Sequence, residues 1–430
     1  MNILNKIYEI YKNNKEISID TRKIKDNTIF WALKGENFDG NDFVKEAMQK
    51  GCVAAVTSNR NLENEEKNIF YFEDTLKSLQ EFANFHRNNL KIPIIAITGT
   101  NGKTTTKELI SEVLSQKYKI THTLENLNNH IGVPLTILSI KDDSEIGIIE
   151  MGANHLGEIK TLCEIAQPTH GLITNIGRAH LEGFGSFEGI IKTKTELYDF
   201  LKKNHGIIFN NADNAILQNI LNGYESVTYG KQNAFCTGKC FDNDFNVSVK
   251  WNCNDKTGYV NSNLIGNYNF ENILAAITVG LFFEVSPTQI DNAISNYTPN
   301  NNRSQLSKTE NNTLIEDFYN ANPSSMSLAI ENIIKINNPG KCLILGDMLE
   351  LGKESTTEHK KILNSISKEN FDKVFVVGEN FYKLKNNYKF YFFEKTENLE
   401  TELSNNLVKN KLILIKGSRG IHLEKIVKYL

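Results

Sequence analysis

Several hallmarks of specialised proteins are missing from this chain. Its six cysteines, Cys52, Cys163, Cys236, Cys240, Cys253 and Cys342, include no CxxC pair. The one loose group, Cys236, Cys240 and Cys253, has no fourth Cys or His at zinc-finger spacing. That excludes a cysteine-built zinc module and leaves reduced thiols, as in a reducing compartment. Charge of one sign is also lacking: 48 Lys+Arg against 51 Asp+Glu leave a formal net charge of −3. A general basic coat for nucleic acid or anionic membrane is thereby excluded, although a local basic pocket is not. No apolar run is long enough to span a bilayer, and the most apolar stretch, Ile273–Val285, is expected to be a buried helix. The opening residues MNILNKIYEIYKNNKEIS carry no apolar core followed by a cleavage site. A cytoplasmic location is therefore expected. Repeats at solenoid periods and long low-complexity tracts are absent as well.

What remains has the balance of a folded chain, with 40% hydrophobic and 23% charged residues over 430 positions. At about 150 residues per domain, roughly three domains are expected. The first 88 residues mix short apolar runs (Thr28–Leu33, Val53–Thr57) with an amphipathic stretch ending near His86. Ile92–Thr98 then reads as a buried parallel strand and residues 103–115 as a helix. Strand-like runs at Ile146–Glu150 and Gly171–Ile176, separated by helical material, continue a βαβ alternation. A polar, Pro-containing break at Tyr297–Asn302 is read as a linker. Beyond it, Leu314–Ile315, Cys342–Leu345, Val374–Val377 and Leu412–Ile415 are strand-like. The expected fold class is α/β in three domains. These are a small N-terminal α/β domain over 1–88, a central ATPase domain with a P-loop-type parallel or mixed sheet over 89–298, and a Rossmann-like C-terminal domain over 299–430.

The strongest chemical signal is Ile97-Thr98-Gly99-Thr100-Asn101-Gly102-Lys103-Thr104-Thr105, placed between a strand and a helix. Glycines let backbone N–H groups close around phosphates, and the helix N-terminus adds partial positive charge. Lys103 would face the β- and γ-phosphates and the Thr104 hydroxyl a Mg²⁺ ion. Ile97 stands where the full eight-residue pattern has Gly, so the loop is a shortened variant. Glu150 ends a strand, where carboxylates of open α/β sheets face the ligand crevice. His180 follows another strand end, and Lys194 lies on the next helical segment. Singly, each is as well explained by structure or solvation; together, downstream of the loop, they point to a reaction centre.

At this point the chain resembles the Mur ligases of bacterial peptidoglycan synthesis, through nearly its whole length. GTNGKTTT (Gly99–Thr106) is similar to the family's ATP loop. ENLNNHIGVPLTIL (Glu125–Leu138), EMGANHLGEI (Glu150–Ile159), NIGRAHLEGFGS (Asn175–Ser186), DFYNANPSSM (Asp317–Met326), LGDMLELG (Leu345–Gly352) and KGSRG (Lys416–Gly420) look like segments of the family. So does FDGNDF (Phe38–Phe43). The member type they resemble adds D-alanyl-D-alanine to UDP-N-acetylmuramoyl-tripeptide.

The resemblance implies an ATP-dependent amide ligase in which a substrate carboxylate is phosphorylated and an amine then displaces phosphate. It also implies two Mg²⁺ ions, one held by Thr104 and Glu150, the other by His180 and by Lys194 carrying a carbamate from CO₂. Lys103, His180 and Lys194 are thereby the implied catalytic set. The nucleotide would be held by Gly99, Thr100, Asn101, Gly102, Lys103, Thr104 and Thr105. Asn272 would meet the adenine, and Arg303 and Asp317 the phosphate and ribose. Asp20, Thr21, Arg22, Phe38, Asp39 and Gly40 look like a uridine-nucleotide site. Asn126, Asn128 and Asn129 would meet the muramoyl peptide, and Asn320 and Asn322 the dipeptide. Small-molecule substrates, no nucleic acid, no membrane insertion and a monomer are expected. The chain departs from the family at Glu125 and Asn302, where Gly is usual, and at Asn41, where His is common. KGSRG could bind phosphate or hold a domain interface.

Two other readings stay open on the residues. A sibling ligase could add a diamino acid or folate glutamates with the same ATP core, against which YNANPSSM and FDGNDF argue. A P-loop phosphotransferase or a silent nucleotide-binding regulator would not need Glu150, His180 and Lys194 together.

Overall fold

The computed structural model describes residues 3–14, 16–243 and 245–430. Three sheets organise the described residues. The first is parallel, with β1 (Ile17–Ser18), β2 (Ile29–Trp31), β3 (Ala54–Thr57) and β4 (Ile69–Tyr71) side by side in sequence order. Its pleat is buried because the helix Thr75–Asn89 lays Leu79, Phe82 and Ala83 on it. Asp74 starts that helix by accepting from Lys77 N at 2.9 Å, a normal N-cap. Fully buried Trp31 satisfies its indole N–H on the Thr75 carbonyl at 2.8 Å. Near the helix end, buried Arg87 donates to the carbonyls of Ala166 (2.9 Å) and Gln167 (3.0 Å), tying this unit to the central one.

The central sheet has nine strands: β5 (Ile94–Thr98), β6 (Ile120–His122), β7 (Ile146–Glu150), β8 (His170–Ile173), β9 (Ile207–Asn211), β10 (Val227–Gly230), β11 (Cys236–Asn243), β12 (Asn246–Cys253) and β13 (Lys256–Ile265). Their order is β13-β12-β11-β10-β9-β8-β5-β7-β6. Strand β5, apolar and wholly buried, pairs in parallel with β7 on one side and β8 on the other. The winding therefore reverses at β5, and a crevice opens at the carboxyl ends of these three strands. The helix Lys103–Leu114 leaves that crevice with Leu109, Ile110, Val113 and Leu114 on the sheet. The expected apolar helix is present as Asn269–Phe282, buried along almost all its length.

Two features differ from the expectation. Strand β8 stops at Ile173 rather than Ile176 because the backbone beyond it serves the phosphate loop. Asn175 O accepts from Thr100 N at 2.9 Å, and Thr174 Oγ1 donates to Asn101 O at 2.7 Å. The antiparallel meander β11–β13 was not anticipated. Its signal is the alternating burial of β12 and the Asn254–Asp255 turn between the paired Cys253 and Lys256.

No helix or strand lies between Asn296 and Gln305. The third sheet then runs in the order β14-β15-β19-β16-β17-β18. Its strands are β14 (Gln305–Lys308), β15 (Thr313–Asp317), β16 (Lys341–Gly346), β17 (Lys373–Val377), β18 (Tyr391–Phe393) and β19 (Leu412–Lys416). All pair in parallel except the edge strand β14. The last strand, β19, inserts between β15 and β16, so their carboxyl ends again form a crevice, and it faces the first one.

Candidate active site

A cavity of about 1070 Å³ fills the space between these two crevices. Its floor is the loop after β5. Gly99 (φ +144) and Gly102 (φ +78) take backbone conformations that L side chains avoid. A Cβ on Gly102 would stand 2.6 Å from Asn272 Oδ1, and one on Gly99 would overlap Thr174 Oγ1. Lys103 curls back over the loop, donating from Nζ to the carbonyls of Gly99 (2.9 Å) and Thr100 (3.1 Å). Desolvation lowers its pKa; Glu150 opposes that shift and Arg303 adds to it. Thr104 is buried beside it, and Thr105 also lines the cavity.

Glu150 ends β7 in register with Ile97 and is 1% exposed. Its Oε1 accepts from Asn128 Nδ2 at 2.8 Å, whereas the buried Oε2 has no hydrogen-bond partner among the described residues. A carboxyl oxygen left bare at such depth suits a cation. Among the described residues no three His, Cys, Asp or Glu side chains converge as a ready-made metal cage. Mg²⁺ does not require one: it is commonly held by one or two carboxylates, water and substrate phosphates. Thr104 and Glu150 fit that pattern. Behind them, fully buried Lys107 donates to the Thr123 carbonyl at 2.6 Å, and Thr123 Oγ1 accepts from Glu150 N at 3.0 Å. Lys107 thus pins the strand end to the loop's helix, a role its position inside an apolar face could have suggested.

His180 lines the cavity in a left-handed conformation (φ +49) and pairs through Nδ1 with Glu350 of the C-terminal unit. Lys194 is 3% exposed on the helix Phe187–Lys203, with its ammonium 5.6 Å from the Phe184 ring centroid. Burial, and then repulsion by Lys103, bring its pKa down to about 7, against the pull of Glu158, Glu196 and Glu150. Lys194 stands behind the cavity surface rather than in its lining.

The opposite wall comes from the C-terminal unit. Arg303 lies on the Tyr319 ring, 3.9 Å from its centroid. Asp317 accepts from buried Lys416 Nζ at 2.7 Å, and Lys416 also donates to the Asn320 carbonyl at 3.3 Å. Arg303, Asp317, Tyr319, Asn320, Asn322 and Lys416 all face the cavity. Of the KGSRG segment, Lys416 therefore reaches the site. Ser418 serves the fold, accepting from Leu349 N at 3.0 Å. Asn272 is buried under the loop, where it accepts from Thr106 Oγ1 (3.0 Å) and donates to Asn269 Oδ1 (2.8 Å).

Asn126, Asn128 and Asn129 line the same cavity. Asn129 is partly committed to structure, since its Oδ1 accepts from Ile131 N (3.0 Å) and Gly132 N (2.9 Å). Asp20, Thr21, Arg22, Phe38, Asp39 and Gly40 stand apart on the N-terminal unit, outside the lining. There Asp20 holds exposed Arg22 Nη2 at 2.8 Å, which brings the Asp20 pKa down to about 2. Thr21 O accepts from Lys50 Nζ at 3.1 Å, and Phe38 is 57% exposed. Asp39 caps the turn Gly40–Phe43 by accepting from Asn41 N at 2.9 Å.

The departures from the family pattern have local explanations. Asn41 is buried and fully used: its amide donates to Asp39 Oδ1 and Ser58 Oγ and accepts from Thr57 Oγ1 and Ser58 N. Glu125 (φ +47) and Asn302 (φ +55) both sit in the left-handed region, which is why glycine suits those positions. Asn tolerates it; Glu does so at a cost of about 1 kcal/mol. Glu125→Gly is therefore expected to leave stability unchanged or raise it by up to about 1 kcal/mol, the gain offset by added chain entropy. A urea titration checks this, and a clear loss of stability would contradict it.

Comparisons with known proteins agree with this geometry. Family models match in three blocks: Mur ligase family, catalytic domain, over 14–87; Mur ligase middle domain over 97–280; and Mur ligase, glutamate ligase domain, over 302–419. The UDP-N-acetylmuramoyl-tripeptide–D-alanyl-D-alanine ligase of Bacillus subtilis is 36% identical over 431 residues, covering 96% of this chain and 92% of the relative. The same-named enzyme of Escherichia coli is 33% identical over 430 residues, covering 96% and 93%. Among solved structures, MurF from Acinetobacter baumannii superposes with a TM-score of 0.87 at 28% identity, over 96% of this chain and 93% of that one. The MurF ligase of Thermotoga maritima in complex with ADP gives 0.85 at 25% identity, over 100% and 98%. With three matched blocks and near-complete coverage by relatives of one name, this chain belongs to the Mur ligase family.

Proposed function

We propose that the chain is an ATP-dependent ligase that joins D-alanyl-D-alanine to UDP-N-acetylmuramoyl-tripeptide through an acyl phosphate, in the cytoplasmic assembly of peptidoglycan precursors. One observation carries the reading. Lys103 and Glu150 of the central unit face Arg303 and Lys416 of the C-terminal unit across a single cavity. Carboxylate and ammonium do not condense directly, because oxide is a poor leaving group. Transfer of the γ-phosphoryl group to the tripeptide carboxylate turns that oxygen into part of a phosphate. The free amine of the dipeptide then attacks the carbonyl carbon, the amide bond forms and inorganic phosphate departs.

In this reading Lys103 neutralises charge on the transferring phosphoryl group, while Arg303 approaches it from the other unit. Asp317, held by Lys416, takes the ribose hydroxyls, and Gly99–Thr105 wrap the phosphates. Thr104 and Glu150 would hold one Mg²⁺, and His180 with a Lys194 carbamate a second; bound there, the ions would offset the crowded oxyanion charge. Asn126, Asn128 and Asn129 would receive the peptide end of the nucleotide sugar, and Asn320 the dipeptide. The uridine end would lie on Asp20–Arg22 and Phe38–Gly40. The three domains would divide the work at about residues 88 and 298. One chain supplies every group, so a monomer suffices, and none of its described helices is long and apolar enough to cross a membrane.

The test is ADP release by the purified protein with UDP-N-acetylmuramoyl-tripeptides ending in diaminopimelate or lysine, each with a panel of amines. Release should require one tripeptide together with D-alanyl-D-alanine. Release driven by a diamino acid or glutamate instead would move the chain to a sibling specificity.

A further inference from the structure

We propose that Asn101 and Asn322 form an interdomain clamp that holds the C-terminal domain docked on the phosphate loop. This deepens the ligase reading and rests on it. It also gives Asn322 a positioning task in place of a direct contact with the dipeptide.

Asn322 Nδ2 donates to Asn101 Oδ1 at 2.8 Å, across 221 positions of sequence. Neither end is free to drift. Asn322 is the N-cap of the helix Pro323–Lys335: its Oδ1 accepts from Ser325 N at 2.8 Å, and its own N–H donates to Ser325 Oγ at 3.1 Å. This reciprocal capping box locks the amide, so its remaining N–H groups point in a direction set by the helix. On the other side the Asn101 backbone is fixed at both polar atoms. Its N–H donates to Asn175 Oδ1 at 3.0 Å, and its carbonyl accepts from Thr174 Oγ1 (2.7 Å) and Asn175 Nδ2 (3.0 Å). Only the side chain of Asn101 reaches the C-terminal unit.

The same helix start grips the loop's support. Ser324 Oγ accepts from Arg178 N at 3.1 Å, in the segment that follows the end of β8 at Ile173. The first turn of one helix therefore contacts both the phosphate loop and the segment that braces it. Most of the Asn322 amide is spent on these two bonds, which leaves a single N–H for any substrate. Because Thr174 and Asn175 already hold the loop backbone, a missing clamp would loosen the docking of the C-terminal unit and with it the approach of Arg303 and Lys416 to the phosphates.

Three variants separate the possibilities. Asn322→Ser keeps a good N-cap but is too short to reach Asn101. Asn322→Asp also keeps the cap, and Asn101 can restore the bond by turning its amide so that Nδ2 donates to the new carboxylate. Asn101→Ala removes the partner. Asn322→Ser should lower kcat about fivefold, the scale of one hydrogen bond. The affinity of the substrate-free enzyme for ATP and its melting temperature should stay as in wild type. Asn322→Asp should recover most of the loss, and the Asn101→Ala/Asn322→Ser double variant should be no slower than the worse single one. A raised KM for the dipeptide in both Asn322 variants at unchanged kcat would overturn the clamp in favour of direct contact. Wild-type kinetics in Asn322→Ser would overturn it in favour of a cap alone. Additive losses in the double variant would also overturn it.

A second readout does not depend on the substrate assignment. With a non-hydrolysable ATP analogue and Mg²⁺, solution scattering of Asn322→Ser should give a more extended particle than wild type. If wild type makes no dipeptide product, the ligase reading fails while this comparison still decides the clamp; equal profiles would then overturn it.

Discussion

Replacing Lys103 with Ala should lower turnover by roughly 10²–10³-fold or more, the effect of losing one preorganised charge on a developing oxyanion. The loss should fall on catalysis rather than on the fold. Among the described residues Lys103 Nζ bonds to the Gly99 and Thr100 carbonyls of its own loop and to no distant element. Its methylene stem is partly buried, and the variant should melt close to wild type. Burial already lowers the pKa of this lysine, which signals a charge that lacks enough solvent and awaits an anion. Near-wild-type amide formation by Lys103→Ala, measured at saturating ATP, would remove the phosphate-loop assignment.

Lys194→Ala should be impaired by about 10²-fold or more, and short carboxylates should restore part of the activity. The reason is the setting of the amine. A lysine 3% exposed, above the Phe184 ring and repelled by Lys103, is a poor ammonium. Its folded pKa of about 7 lies below that of an exposed lysine, so the neutral amine prevails above that pH and the ammonium below it. CO₂ adds only to the neutral form. The ¹³C NMR signal of a carbamate in bicarbonate-equilibrated enzyme should accordingly grow as the pH rises through about 7 and fade below it. A carbamate would exchange a cation for an anion with oxygen ligands that hard metal ions prefer. Formate or acetate, diffusing into the space left by Lys194→Ala, can supply the same oxygens. No rescue, together with no labelled adduct, would leave Lys194 a plain amine balanced by Glu158 and Glu196.

Much of this site was legible because its chemistry is local in sequence. A strand, two glycines and a lysine at a helix start can only build a phosphate loop if the strand is central, and the apolar run Ile94–Thr98 made it so. Glu150 was legible for the same reason, since a carboxylate ending an apolar strand has to face the crevice. Long-range pairings were not. Nothing near Asp317 announces that its partner is Lys416, because β19 reaches β15 only after the rest of the third sheet has been laid down. The contact of His180 with Glu350 and that of Asn101 with Asn322 likewise depend on how two domains dock. A single Asn carries little information by itself, so Asn272 could be named as a binder but not as a brace of the loop. The meander β11–β13 was overlooked although Val247, Val249, Trp251 and Cys253 alternate with polar residues along β12, the pattern of a half-buried strand. Glycine positions filled by Glu125 and Asn302 read as anomalies until their left-handed backbones explained them.

The central claim, amide formation through an acyl phosphate in the cavity shared by Lys103, Glu150, Arg303 and Lys416, is tested most directly by isotope transfer. UDP-N-acetylmuramoyl-tripeptide labelled with ¹⁸O in the reacting carboxylate would be turned over with ATP and D-alanyl-D-alanine, and the released inorganic phosphate weighed by mass spectrometry. One ¹⁸O atom should appear in each phosphate formed, because the carboxylate oxygen leaves with the phosphoryl group that activated it. Amide product accompanied by unlabelled phosphate would contradict the account.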